Sequence, residues 1–452
     1  MNQSPTSDRY HPTHQLRIVT AASLFDGHDA AINIMRRLIQ DGGAEVIHLG
    51  HNRSVADIVK AEVEEDAHAI AISSYQGGHN EFFRYMFDLL KENGAGHVKI
   101  FGGGGGVIIP EEIEALHDYG ITRIYSPEDG RRLGLVGMID HMLETADRDL
   151  LRDACVDLDA IKSGDRGSLA RLISLLETES GASRLGDDWP GTPSNEDSLA
   201  PVVGITGTGG AGKSSFTDEL LNRYLADFES HRVAVLSVDP TRRRTGGALL
   251  GDRIRMNQAR HERVFMRSLA TRAANAELSG GITGAIQACR LAGYDLIVVE
   301  TSGIGQGSSS IVDISDIHIY VMTPEYGAPS QLEKIDMLDL ADLIVVNKFD
   351  RRGAEDALRD VRKQVRRNRQ LFHSADSDLP VFGAISARFS DDGVNGAYSF
   401  LLDLLRSHTG AVYAPKRTLR SALQSSDQTA IVPPSRLHYL GEIASTVRDY
   451  HA

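Results

Sequence analysis

Val202-Val203-Gly204-Ile205-Thr206-Gly207-Thr208-Gly209-Gly210-Ala211-Gly212-Lys213-Ser214-Ser215 decides how the chain is read. An apolar strand runs into Gly207–Ser214, which satisfies G-x-x-x-x-G-K-[ST], and a helical pattern (SSFTDELLNRYL) follows at once. Strand, glycine-rich turn and helix in that order predict a parallel-sheet α/β unit whose turn holds phosphate. Glycines let backbone N–H groups turn inward around phosphate oxygens, at a helix N-terminus that already favours anions. Gly210, Ala211, Gly212, Lys213, Ser214 and Ser215 are the expected phosphate-binding residues. Lys213, the catalytic candidate, is placed to reach the β- and γ-phosphates, and the Ser214 hydroxyl to sit on Mg2+.

Downstream, strands are expected near residues 202–206, 233–238, 296–300, 317–323, 343–347 and 381–385. Asn347-Lys348-Phe349-Asp350 follows the strand Leu343–Val346, and behind a phosphate loop N-K-x-D resembles the guanine-specificity motif of GTP-binding proteins. The Asp350 carboxylate can accept from guanine N1–H and the exocyclic amine, whereas adenine presents no such donor pair. Ser386-Ala387, after the last strand, fits the loop that supports the base. GTP and GDP are therefore the expected nucleotides. Asp239 and Glu300 each end a strand at the carboxyl edge, where α/β folds bind ligands. Most GTPases carry Asp-x-x-Gly at the second position, and this chain has Glu300-Thr301-Ser302-Gly303. Gln306 is the candidate for orienting the attacking water.

Upstream, residues 16–145 alternate five short strands with helices, which predicts a second doubly wound sheet. Asp26-Gly27-His28-Asp29-Ala30-Ala31 leads into the first helix, Ser73-Ser74-Tyr75 follows 41 residues later (32–72), and Gly102-Gly103 after 26 more (76–101). This resembles the D-x-H-x-x-G … S-x-L … G-G signature of cobalamin-binding domains in mutases and methionine synthase, with Ala31 in place of Gly and Tyr75 in place of Leu. A neutral imidazole at the sheet's carboxyl edge is a good cobalt ligand through one ring nitrogen, so His28 is the expected axial ligand. Asp26 can accept a hydrogen bond from the other nitrogen, fixing the tautomer. The resemblance implies that the cofactor's dimethylbenzimidazole leaves cobalt and is buried, where Ser73 can hydrogen-bond it. Gly102 to Gly106 are expected to leave room for the nucleotide tail. His79, the competing histidine, is expected to pack near the corrin or cap the next helix.

Composition bounds the rest. The 452 residues suggest two to four domains. The formal charge is 48 − 62 = −14, which argues against a sequence-independent grip on nucleic acid. The longest apolar runs are far too short to span a bilayer. Residues 1–15 lack an apolar signal core, and Cys155 and Cys289 follow neither a zinc nor a disulfide spacing, all of which points to the cytoplasm. The expected division is a flavodoxin-like unit at 16–145, a helical segment and Gly/Pro/Ser-rich linker at 146–200 that permits independent motion, a P-loop unit at 201–410, and a lead-in at 411–452.

DPTRRRTGGALLGDRIRM (239–256) and ETSGIGQG (300–307) resemble the small GTPase chaperones of cobalamin-dependent acyl-CoA mutases. That resemblance implies that Ser214, Asp239, Asp252 and Glu300 attend Mg2+ and that Arg255 lies near the phosphates. Thr241-Arg242-Arg243-Arg244 stands where the family more usually has a Ser-Ser run. A cobalamin domain followed by this GTPase is similar to the N-terminal portion of the fused isobutyryl-CoA mutase family. There adenosylcobalamin supplies a 5′-deoxyadenosyl radical for carbon-skeleton rearrangement, and the GTPase gates cofactor loading. The family's acyl-CoA-binding barrel needs about 250 residues for which this chain has no room. The expectation is GTP hydrolysis and adenosylcobalamin binding, with acyl-CoA reached only through a barrel elsewhere. A separate mutase subunit, an adenosyltransferase and a second copy in a homodimer are the expected partners. The alternatives are a cobalamin-responsive GTP switch and a cobalamin delivery protein for a separate mutase.

Overall fold

The apolar runs become strands buried on both faces, as parallel sheets covered by helices require. The computed structural model describes residues 9–27, 29–152, 156–178, 181–185, 200–242, 245–272, 278–301, 303, 309–327, 329–426 and 446–451. His28, Cys155, Arg243, Arg244, Ser302 and Gln306 lie outside the described residues, as does most of the helix expected near 435–450.

The first unit runs β1 (Arg17–Ser23), α1 (Asp29–Asp41), β2 (Glu45–Arg53), α2 (Val55–Glu65), β3 (Ala69–Ser73), α3 (His79–Glu92), β4 (Lys99–Gly103), α4 (Pro110–Tyr119), β5 (Arg123–Tyr125) and α5 (Pro127–Ala146). Ser54 caps α2 by accepting from the Asp57 N–H at 3.1 Å, as its Ser-x-x-Asp start predicts. Three helices follow: α6 (Leu158–Ser163), α7 (Arg166–Leu176) and α8 (Gly181–Leu185).

The second unit opens with β6 (Val202–Gly207), α9 (Lys213–Asp227) and β7 (Val233–Asp239), then β8 (Ala248–Leu250), β9 (Val264–Ala270), α10 (Ile282–Leu291), β10 (Leu296–Thr301) and β11 (Ile317–Met322). It closes with α11 (Pro329–Leu332), α12 (Met337–Leu340), β12 (Leu343–Asn347), α13 (Ala354–Asn368), β13 (Val381–Ala384) and α14 (Asp392–Thr409).

Two parallel sheets result, ordered β5-β4-β3-β1-β2-β8 and β13-β12-β11-β6-β10-β7-β9. Each changes winding direction beside its first strand, β1 or β6, so the loops after β1, β3 and β6 open onto the carboxyl-edge crevices. Two strands were not expected. β9 extends the second sheet beside β7. β8 comes from the second block of sequence yet pairs with β2 of the first sheet, Glu45 opposite Ala248 and Ile47 opposite Leu250. Three residues carry no readable period, and nothing local in sequence identifies a partner two hundred positions away.

The linker reading allows the two units to move independently, and the structure instead ties them with buried charge. Arg17 on β1 meets Glu45 at 2.8 Å and Glu177, just after α7, at 3.0 Å. Glu177 also takes Arg267 of β9 at 2.9 Å, and Glu45 takes Arg272 at 2.8 Å. On the next face Arg253 reaches Glu64 at 2.9 Å and Glu65 at 3.2 Å, both at the end of α2. Lys60 donates to the carbonyls of Ala259, His261 and Val264 at 2.6–3.2 Å. Removing one partner of such a buried pair costs on the order of 3–5 kcal/mol, because the other charge stays behind.

This interface has a pH signature. His68, at its edge, accepts the Arg17 N–H at 3.2 Å, and burial pushes its pKa down to about 4 from 6.5. The unfolded chain therefore binds a proton that the folded chain refuses, so stability falls as pH drops from 6.5 toward 4. Glu45 acts in the same direction at lower pH: burial works against its charge, but Arg17 and Arg272 outweigh it and hold the folded pKa at about 2 against 4.5, so its contribution is lost as pH falls from 4.5 toward 2. Thermal melts of the wild type and His68→Gln across the His68 range should converge at acid pH, the wild type losing up to about 3 kcal/mol more than the variant.

Candidate functional site

In the second unit the phosphate loop joins β6 to α9. Gly210 and Gly212 have φ of 71° and 86°, which side chains disfavour, and a Cβ on Gly212 would lie 2.6 Å from Asn347 Nδ2. Lys213 opens α9 and folds back over the loop, donating to Gly207 O at 3.2 Å and Thr208 O at 3.3 Å. Ser215 follows in the same first helical turn. The Glu-x-x-Gly segment abuts this loop: a Cβ on Gly303 would sit 2.5 Å from Gly209 N.

Two carboxylates meet at Ser214, with a third close to both. Its Oγ lies 2.7 Å from Glu300 Oε1 and 3.1 Å from Asp252 Oδ1. Thr217 donates to Glu300 Oε2 at 2.9 Å, and Ser237 to Asp252 Oδ2 at 2.6 Å. Asp239 is buried beside them, and its Oδ2 has no hydrogen-bond partner. Burial, reinforced by the neighbouring carboxylates, raises the Asp239 pKa well above the usual range and that of Glu300 to about 7. Buried like charges with an orphaned oxygen are what a hard divalent cation relieves, so the donor set fits Mg2+. No group of three or more His, Cys, Asp or Glu side chains among the described residues forms a metal cage by itself. That is the usual condition of Mg2+, which takes its remaining ligands from phosphate and water. Arg255 pairs with Asp252 at the rim.

The base-reading residues converge through one amide. Asn347 donates to Ala211 O at 2.8 Å and accepts from Ser386 N and Oγ at 3.1 and 2.9 Å. Lys348, at φ 57°, donates to Gly210 O at 2.7 Å. Phe349 lays its ring over Gly383, where a Cβ would be 2.6 Å away. Asp350 is exposed at the mouth of a cavity of about 670 Å³ shared with Ile385 and Arg388. Asp391 braces the loop: its Oδ1 accepts from Ile385 N at 3.2 Å and from Ser425 Oγ at 2.8 Å. Residues 423–426 thus run along the edge of this unit, with Ser425 N bonded to Gly383 O at 2.9 Å.

In the first unit a cavity of about 240 Å³ opens at the carboxyl edge between α1, α5 and the ends of β3 and β4. Ala31, Met35, Met138 and Met142 make it largely apolar, and Ser73 lines it with a buried Oγ that has no partner. An unmatched hydroxyl facing an apolar slot fits a flat heterocycle with a ring-nitrogen acceptor, as dimethylbenzimidazole has. Asp26, 1% exposed, accepts the Tyr75 N–H at 2.7 Å and so joins the loops after β1 and β3. The glycines also answer to packing. A Cβ on Gly102 would lie 2.4 Å from Phe83 on the opposite side of the sheet, and one on Gly104 1.9 Å from Ser74 O. Packing demands those two, although the Gly102 backbone still borders the cavity. Gly103 meets nothing nearer than 3.6 Å. His79 opens α3 and bonds Glu112 of α4 at 2.9 Å, a helix-to-helix latch.

Thr217, Ser237 and Asp391 went unread in the sequence. The first two left a trace: Thr217 lies one turn after Ser214 on one helix face, and Ser237 is a polar residue two before Asp239 on an apolar strand (VAVLSVD).

Fold and sites together define a P-loop GTPase joined to a B12-binding sheet. The family model for methylmalonyl-CoA mutase-associated GTPase MeaB matches residues 169–396, and that for the B12 binding domain matches residues 16–125. The chain belongs to this MeaB GTPase family, with a B12 binding domain ahead of the GTPase, an arrangement that matches the N-terminal portion of fused isobutyryl-CoA mutases. It is 54% identical over 451 residues to the fused isobutyryl-CoA mutase of Geobacillus kaustophilus, covering 98% of this chain and 41% of that protein. With the enzyme of the same name from Cupriavidus metallidurans it is 55% identical over 441 residues, covering 97% and 40%. The chain thus spans about two-fifths of the length of these curated relatives. With the crystal structure of LAO/AO transport system kinase it shares 24% identity over 56% of this chain and 75% of that one, at a TM-score of 0.40. No helix among the described residues is long and apolar enough to cross a membrane.

The orphaned hydroxyl gives a test of the cavity. Ser73→Ala should leave the melting temperature of cofactor-free protein unchanged or raise it, since a buried unmatched polar group costs about 1–3 kcal/mol. The same variant should bind cobalamin more weakly in a spectral titration. A melting temperature that drops instead would mean that the hydroxyl is already satisfied.

Proposed function

We propose that residues 16–145 bind adenosylcobalamin and that residues 201–410 hydrolyse GTP to gate the loading of that cofactor into a radical acyl-CoA mutase. Residues 146–200 connect the two units, and residues 411–452 lead on from the second. The observation that carries this reading is β8: the segment between Asp239 and Asp252 is also a strand of the sheet bearing the Ser73 cavity. A GTPase that shares its metal-facing segment with a cofactor sheet has a direct route from nucleotide state to cofactor site.

In this reading Lys213 and the backbone from Gly210 to Ser215 hold the phosphates and stabilise charge as the γ-phosphoryl departs. Ser214, Asp239, Asp252 and Glu300 hold Mg2+, with Arg255 beside the phosphates. Asn347, Lys348 and Phe349 frame the base, Asp350 accepts its two N–H donors, and Ser386 supports the far edge. On the first sheet His28 would hold cobalt through one ring nitrogen with Asp26 accepting from the other, Ser73 would hydrogen-bond a heterocycle in the cavity, and Gly102 and Gly103 would border the nucleotide tail. When bound, the cofactor supplies the radical for rearranging isobutyryl-CoA and n-butyryl-CoA in the complete enzyme. The acyl-CoA meets only a mutase barrel, on a longer polypeptide or a separate subunit. An adenosyltransferase as cofactor donor, a homodimer and a cytoplasmic location complete the proposal.

Titration with adenosylcobalamin, followed in the visible spectrum with and without GTP, tests it. A shift to the base-off form that disappears in His28→Ala is the expected result, and retained nitrogen ligation in that variant overturns the axial assignment. Lys213→Ala should lower GTP turnover roughly 10²-fold or more while the cobalamin shift persists. Turnover at the wild-type rate in that variant would remove Lys213 from the catalytic site.

A further inference from the structure

Asp252 hangs between two attachments to the other unit. Immediately before it, Ala248–Leu250 is hydrogen-bonded along β2 of the cobalamin sheet. Immediately after it, Arg253 is buried with Nη2 2.9 Å from Glu64 and Nε 3.2 Å from Glu65. Asp252–Arg255 itself is a single four-residue 3-10 turn, too short to hold its own orientation. Its Asp252 carboxylate nonetheless points at Ser214 Oγ on one side and Ser237 Oγ on the other.

We propose that Arg253 is a positioning residue for the Mg2+ that accompanies GTP. Docked on Glu64 and Glu65 of the cobalamin-binding unit, it sets the rotation of the turn and aims Asp252 at the metal. The planar guanidinium suits this, because contacts from two of its nitrogens to two carboxylates fix an orientation that a flexible ammonium leaves free. Its partners are fixed in turn. Glu65 accepts from Ser268 N at 3.0 Å and Oγ at 2.9 Å, and Glu64 pairs with Arg166. The cobalamin-binding unit thereby completes the metal site of the GTPase, and the dependence runs from the first unit to the second as well as back. This inference rests on the reading that Asp252 serves Mg2+.

The test is release of fluorescent N-methylanthraniloyl-GDP from the full chain at graded free Mg2+, with release in chelator as the reference. In Arg253→Met the Mg2+ concentration that half-slows release should rise roughly tenfold, as outer supports of metal sites do when lost. Arg253→Lys, which keeps the charge but not the fork, should shift it less, and Glu65→Gln should shift it in the same direction. A lowered melting temperature with an unmoved Mg2+ midpoint is the mark of a merely structural pair and overturns the proposal. Should Arg253→Met fail to fold, Arg253→Lys and Glu65→Gln decide together, since each keeps a contact to α2 while loosening the fixed angle of the guanidinium. Asp252→Asn separates the two levels. If its midpoint does not move, the metal reading of Asp252 fails; if it moves and those of Arg253→Lys and Glu65→Gln do not, only the positioning role falls.

Discussion

The structure depends on carboxylates and guanidinium groups taken out of water together. Glu177 sits between Arg17 of one sheet and Arg267 of the other, and all three side chains are at most 3% exposed. No member of the set is tolerable alone at that depth, so each unit supplies the counter-charges that the other's burial requires. A hydrophobic face between the units would hold them with more latitude, because apolar packing is non-directional. Ion pairs with fixed geometry set the angle and the register as well. β8 on β2, Lys60 on three backbone carbonyls and Arg253 on α2 all presuppose that register.

The same principle of unfinished charge shapes the nucleotide site. Asp239, Asp252 and Glu300 crowd one another where burial penalises every negative charge, and one oxygen of Asp239 lacks any partner. A site so arranged is tense without a cation and relaxes with one. The Ser73 slot is the neutral counterpart, a single hydroxyl left over in an apolar cavity. In both places the fold leaves a polar atom unsatisfied at the carboxyl edge of a parallel sheet, where a ligand is the remaining partner.

How much of this could be read beforehand follows from the range of each interaction. The P-loop, N-K-x-D and D-x-H segments were legible because each compresses its chemistry into a few adjacent residues beside a periodic strand or helix. The structure sets Asp26 and Ser73 at the carboxyl edge of the first sheet, Ser386 against Asn347, and Asp252 and Glu300 against Ser214. β9 and β8 were missed because one strand sits among charged loops and the other has three residues whose partner lies in another unit. Arg253, Glu64 and Glu65 carry no sequence signal of their pairing, since nothing in a lone sequence pairs residues nearly two hundred positions apart. Gly102 shows a related limit: a run of glycines says that side chains are excluded, but not from which face. Phe83 excludes one there.

Sharing β8 also imposes an order on synthesis. The first sheet ends at β2 until the chain has been made as far as Leu250, so a nascent chain that already holds β1 to β5 still exposes a long, unpaired strand edge. Such edges are templates for pairing with other chains. The first unit is thus topologically open while the ribosome adds the next hundred residues, and the GTPase sequence itself acts as the intramolecular cap that closes it. A fragment cut in the 186–199 stretch would keep β1 to β5 and the cavity residues and yet lack the strand that protects the β2 edge from its neighbours.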